Sequence, residues 1–97
     1  MTIYIVFVSW TDQGIKNVKD SPGRLDAAKK MLSDMGGNFR EFYLTMGEFD
    51  MMAICEAPDD AVIARMVLML GQTGNIRTRT VKAFPESAYR EIINSLG

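Results

Sequence analysis

The sequence predicts an α+β fold of the ferredoxin-like kind, βαββαβ, with a four-stranded antiparallel sheet and an extra C-terminal helix. Three observations carry this. Strand-like and helix-like stretches alternate as strand, helix, strand, strand, helix, strand, helix, so that two β-α-β halves meet at a hairpin over Met46–Asp50. The first and third strands are apolar on both faces and the second and fourth are more polar, which puts one and three in the middle and two and four at the edges. That is the order the split β-α-β arrangement requires, so local composition and topology agree. Helices in this fold cover one face of the sheet. The apolar second face then predicts a second copy packed sheet to sheet, with a fold-back of the C-terminal helix as the alternative cover.

Each element has its own reason. Ile3 to Ser9 is rich in β-branched and aromatic residues without a breaker, with Ile3, Ile5 and Phe7 on one face and Tyr4, Val6 and Val8 on the other. Thr11 is a candidate N-cap for a short helical turn through Ile15 and Val18. Ser21 as N-cap with Pro22 behind it starts a helix running to about Met35, with Leu25, Ala28, Leu32 and Met35 as its apolar stripe and Gly36-Gly37 as its left-handed end. Phe39 to Met46 is the second strand. Strict alternation puts Arg40, Phe42, Leu44 and Met46 on one face and Phe39, Glu41, Tyr43 and Thr45 on the other. Asp50 to Glu56 is the third strand. Ala57-Pro58-Asp59-Asp60 opens a helix to about Leu70 whose apolar residues exceed one stripe. Ile76 to Phe84 is the fourth strand, and Pro85 starts an amphipathic helix through Ala88, Tyr89, Ile92, Ile93 and Leu96.

Ninety-seven residues make a single domain, 1–97, long enough to bury roughly 60–70% of its unfolded surface. Apolar residues are 47% of the chain and the net charge is −1, which argues against a sequence-independent nucleic-acid partner. No apolar run approaches the roughly 20 residues a bilayer span needs, and the N-terminus lacks the basic start of a signal peptide, so no membrane partner is expected. The single Cys55 cannot form an internal disulfide and fits a cytoplasmic location. Histidine is absent, which removes His-held haem and His-based zinc or iron sites, and no cofactor is expected. Carboxylate pairs such as Asp59-Asp60 are explained by capping, so no metal is expected either.

Candidate site residues cluster near strand ends. Asp50 is either a base or anchor at a pocket mouth or a carboxylate bonded to turn amides, the second being favoured. Arg24 stands in the first turn of a helix, against the dipole, and needs a partner such as Asp20, Asp50 or a bound anion; a structural salt bridge is the favoured reading. Arg77 and Arg79 share a strand face, as a solvated edge or as an anion clamp with Arg24. Trp10, Tyr43 and Tyr4 are core aromatics or pocket walls, with Trp10 and Thr11 the best ligand-facing pair. The ligand-binding candidates are therefore Trp10, Thr11, Arg24, Tyr43, Asp50 and Arg77, with Asp50 the one weak catalytic candidate.

The ordered set Thr11, Gln13-Gly14, Lys19-Asp20-Ser21-Pro22 with Arg24, Gly36-Gly37, Gly47 with Asp50, Glu56-Ala57-Pro58-Asp59-Asp60 and Gly74-Asn75-Ile76-Arg77-Thr78 leading to Thr80 and Ala83-Phe84 resembles the GYD domain family of small bacterial proteins. The likeness runs from Tyr4 to Tyr89. The name refers to a Gly-Tyr-Asp triplet; here Gly47-Glu48-Phe49-Asp50 carries Phe49 in the tyrosine's place, so a role needing a phenol proton there cannot operate. The resemblance implies the dimeric α+β barrel fold. Members of that superfamily include cofactor-free monooxygenases, isomerases, haem enzymes and binding proteins, so the fold does not choose a chemistry. The expected function is a homo-oligomeric protein binding a small molecule or anion. The alternatives are a cofactor-independent enzyme and a protein-interaction module docking through its apolar second helix.

Overall fold

The computed structural model describes residues 1–97. Its elements are β1 (Thr2–Trp10), α1 (Asp12–Lys16), a 3₁₀ turn (Val18–Asp20), α2 (Ser21–Asp34), β2 (Asn38–Leu44), β3 (Met51–Ala57), α3 (Asp60–Gln72), β4 (Ile76–Ala83) and α4 (Glu86–Asn94). The sheet order is β2-β3-β1-β4, every neighbouring pair antiparallel, so the two strands that are apolar on both faces are indeed central. This is the ferredoxin-like arrangement. No helix is long and apolar enough to cross a membrane.

The core lies between the sheet and helices α2 and α3. Tyr4, Val6 and Val8 of β1 and Met51, Ala53, Cys55 and Ala57 of β3 are buried, and they meet Leu32 of α2 and Val62, Ile63 and Met66 of α3. Burying each large side chain here contributes about 1.5–3 kcal/mol. Gly37 follows α2 so closely that a Cβ there would stand 2.4 Å from the Glu56 carbonyl oxygen; only glycine lets the chain leave the helix against β3. Burial pushes the Cys55 thiol up to about 12.

Three local expectations need correction. Phe39 and Phe42 do not lie on opposite faces. The register passes from Phe39↔Cys55 to Glu41↔Ile54, so Arg40 is an extra residue in a β-bulge, and both phenylalanines pack on the core. Ser21 is not the N-cap of α2. The 3₁₀ turn runs straight into the helix, leaving Asp20 at the cap position with already helical backbone and no side-chain cap bond. Pro58 precedes α3 rather than standing inside it; Asp59 caps the helix by accepting from the Val62 amide at 3.0 Å.

The second face of the sheet carries no helix. Ile3, Ile5 and Phe7 of β1 and Met52 and Ile54 of β3 are only partly buried there, and Val81 is exposed. The register aligns Val81, Ile5 and Ile54 in one row and Arg79, Phe7 and Met52 in the next. Helix α4 does not fold over this face. None of its residues is buried, and Tyr89, Ile92, Ile93 and Leu96 are all exposed. The molecule measures 53 Å along its longest axis and its radius of gyration is 14.7 Å. A compact chain of this length would have a radius of about 12.5 Å.

Candidate functional site

A cavity of about 190 Å³ opens between the sheet and the helices. Its floor is the helix-side face of the central strands, Val6 and Val8 of β1 with Met51 and Ala53 of β3. Leu25, Ala28 and Met31 of α2 form one wall, and Met66 and Leu70 of α3 the other. The void exists because small side chains stand where large ones would meet. Ala27 and Ala28 on α2 and Ala53 on β3 are too short to fill the space between the sheet and the two helices. Phe39 and Phe42, turned inward by the bulge, complete the side toward β2.

Polar groups gather at one end of this apolar space. Trp10, from the last position of β1, lines it beside Thr73, Asn75 and Thr78. The Trp10 indole Nε1 is buried and has no hydrogen-bond partner, the one such side-chain nitrogen or oxygen in the molecule. Arg24 lines the cavity from the first turn of α2 and is the only charged residue that does. It forms no salt bridge, which corrects the expectation of a carboxylate partner; its Nη2 donates to the Asn17 carbonyl oxygen at 3.2 Å. The 3₁₀ turn explains this, since it carries Asn17 back under the start of α2.

Asp50 is held behind Trp10 and is not a cavity residue. Its Oδ2 accepts from the Trp10 backbone N–H at 2.9 Å, its own N–H donates to the Val8 carbonyl at 3.0 Å, and its carbonyl accepts from the Thr45 amide at 2.8 Å. The partner amide is thus on β1, the strand next to β3, and not in the turn itself. Gly47 adopts φ +128°, a conformation that side-chain-bearing residues rarely take, and this sends the loop back over the sheet. Phe49 then stacks on Phe7 at 4.7 Å, on the open face. The hairpin therefore grips the sheet end twice, with its aromatic on the open face and its carboxylate on the backbone amide of a cavity residue.

Thr11 fastens the same end. Its hydroxyl accepts from the Gly14 amide at 3.1 Å, capping α1, and donates to the Gly74 carbonyl at 2.6 Å. Gln13 Nε2 donates to the Thr73 carbonyl at 3.1 Å and to Asn75 Oδ1 at 3.0 Å. A Cβ on Gly14 would sit 1.9 Å from the Asn75 carbonyl oxygen, so α1 and the Gly74-Asn75 turn interlock without room for a side chain. Two landmark stretches some sixty positions apart are one contact at the cavity mouth.

The remaining candidates lie elsewhere. Arg77 and Arg79 pair with Ser9 and Phe7, which places them on the open face, the far side of the sheet from Arg24, so no clamp with Arg24 can form. Tyr43 is exposed on that open face opposite Met52, and its hydroxyl donates to Glu41 Oε2 at 2.6 Å. Tyr4 belongs to the core at 3% exposure; its hydroxyl donates to Asp60 Oδ1, which Lys82 also approaches at 3.2 Å. Burial and that bond raise the Tyr4 pKa, and the Tyr4 hydrogen bond, then Lys82, lowers that of Asp60. Sequence reasoning missed the helix walls Met31, Met66 and Leu70 as cavity residues. Their spacing signals a packed stripe, and only the alanines beside them hint at a gap.

Against known proteins, the family model described as GYD domain matches residues 4–93. A curated protein of Thermus thermophilus, named as a glutamine synthetase and cystathionine beta-lyase binding protein, is 31% identical over 86 residues, covering 88% of this chain and 90% of its own. A crystal structure of a protein from Thermus thermophilus aligns with a TM-score of 0.54 at 21% identity, covering 88% of this chain and 95% of that one, which supports the fold alone. The Gly47 to Asp50 grip on the sheet end and the Thr11–Asn75 interlock account for several of the residues that carry the likeness, and with a match over nearly the whole length the chain belongs to the GYD domain family.

Proposed function

We propose that this chain is a self-associating binding protein that takes a small molecule into the cavity between its sheet and helices. The observation that carries the reading is the 190 Å³ apolar cavity with Trp10 and Arg24 at its polar end. Self-association rests on the open face of the sheet. Its rows of partly buried aliphatic and aromatic residues, with α4 standing away from them, make an apolar patch of the kind monomers rarely leave to water. A second copy laid on that face leaves the cavity of each protomer free, because the cavity lies on the other side. The test is twofold. Native mass spectrometry at micromolar concentration should show a dimer or a larger assembly, and a monomer would remove the assembly claim. Small apolar probes should shift the emission of Trp10, the one tryptophan; no shift with any probe at millimolar concentration would remove the cavity claim.

A second reading is a protein-interaction module. It is favoured by the name of the Thermus thermophilus relative and by the exposed apolar face of α4. Purified glutamine synthetase and cystathionine beta-lyase immobilised on a sensor should then retain this chain, and Ile92→Glu should abolish retention. A catalytic role for Asp50 has less support, since its carboxylate is committed to the Trp10 amide.

A further inference from the structure

We infer that the cavity selects a small organic anion, a monocarboxylate with a compact apolar body about the size of one ring and a short chain. The inference rests on the cavity reading above and adds the chemical class of its occupant.

Size sets the body. An apolar cavity of about 150 Å³ accepts a benzene ring. The space here is about 190 Å³, so a ring with two or three further carbons fills it. Aliphatic and aromatic side chains surround most of it, which sets the body as apolar.

Charge sets the head. Arg24 is the sole charged residue of the lining, and no carboxylate of the protein shares the cavity with it. The guanidinium has five N–H donors, and only Nη2 has an acceptor in the protein, the Asn17 carbonyl. The acid nearest that helix start, Asp20 at the cap position, makes neither a cap bond nor a salt bridge with Arg24, and the first turn itself holds no carboxylate. Guanidinium and helix end therefore call for negative charge at the same place. A carboxylate matches a guanidinium in plane and in spacing, through two parallel hydrogen bonds. A neutral apolar occupant would instead leave the remaining guanidinium donors unused.

Trp10, at the end of β1, also lines the cavity, and its Nε1 is a buried donor without an acceptor. Buried donors are nearly always paired, and each one left without an acceptor is a cost to the free protein. A ligand that brings oxygen acceptors relieves that cost, with the indole adjusting to meet it. The Arg24 and Trp10 side chains thus offer donors and no acceptor, which is the complement of a carboxylate and the wrong match for an amine or a metal ion.

The experiment compares 3-phenylpropionate with 3-phenylpropan-1-ol on the full chain, by titration calorimetry and Trp10 emission. The two share a ring and chain length and differ in charge. The carboxylate should bind at least tenfold tighter than the alcohol at low salt, and the advantage should shrink as salt is raised. Arg24→Gln should abolish the advantage and leave alcohol binding within about twofold. Equal or tighter binding of the alcohol to the unaltered chain would overturn the anion assignment and leave the cavity reading standing. Loss of both ligands in Arg24→Gln would also overturn it, by showing that the residue shapes the cavity. If neither compound bound the unaltered chain at millimolar concentration, the cavity reading would fall as well.

Discussion

The two faces of one sheet are built from alternate residues of the same strands and meet different surroundings. On the helix side, Val6, Val8, Ala53 and Cys55 are sealed by α2 and α3, except where alanines leave a cavity. On the other side, Ile5, Phe7, Met52 and Ile54 are just as apolar and have no helix over them, only Phe49 resting on Phe7. The covered face is more than a core and the bare face more than a surface. Stability, and the proposed ligand, belong to the first, and the proposed partner copy belongs to the second. The hairpin at Gly47 to Asp50 is where they meet, because Phe49 rests on the bare face while Asp50 holds the strand that presents Trp10 to the other.

That division can be broken by mutation. Leu32, fully buried under the covered face, should cost about 3 kcal/mol on Leu32→Ala, read as a shift of the urea midpoint at unchanged slope. The same kind of truncation on the bare face, Ile54→Ala, should cost about 1 kcal/mol or less in a dilute, dissociated sample, and Ile54→Glu should abolish any assembly seen by sedimentation while the chain stays folded. Equal losses at Leu32 and Ile54 in the dissociated chain would erase the distinction between the faces.

The edge of the covered face should respond to pH. Asp60 has a folded pKa below its ordinary value of 3.8, so its contribution to stability is present above that value and is lost as pH falls through the lowered one. Tyr4 has a raised pKa, so its contribution holds below its ordinary value of 10.0 and is lost as pH rises through the raised one. Urea midpoints measured from neutral pH down to acid should fall less steeply for Asp60→Asn than for the unaltered chain, and those measured to alkaline pH less steeply for Tyr4→Phe. Smallest of all should be the loss of residues 86–97. None of α4 is buried, so a chain ending at Pro85 should keep its stability within about 0.5 kcal/mol when dissociated, by the same urea titration.

Much of this arrangement was legible in the residues. The two-faced apolarity of Ile3–Ser9 and Met51–Glu56 located the central strands, and the turn at Gly47 located the hairpin. What could not be read came from two physical sources. A single inserted residue, Arg40, reverses side-chain alternation for the start of β2, and no local composition announces a bulge. Long-range pairing decided the faces of Arg77 and Arg24, which strand periodicity and helix position fix only within their own elements. Trp10 and Arg24 do border one cavity, Asp50 stands behind it, and Tyr43 and Arg77 lie across the sheet. The cavity itself is a matter of volume. It depends on how closely α2 and α3 approach the sheet, which no stripe of leucines and methionines states.

Cys55 gives all of this a stopwatch. Its thiol is wholly buried on the middle of β3, and burial pushes its pKa up to about 12, so it stays protonated while the strand is closed. A maleimide or disulfide reagent can therefore attack only when the central strand opens. The ratio of that rate to the rate for a free thiol is the opening equilibrium. Any occupant of the neighbouring cavity slows the clock in proportion to its occupancy, so one natural cysteine can time ligand binding without dye, tag or tryptophan signal.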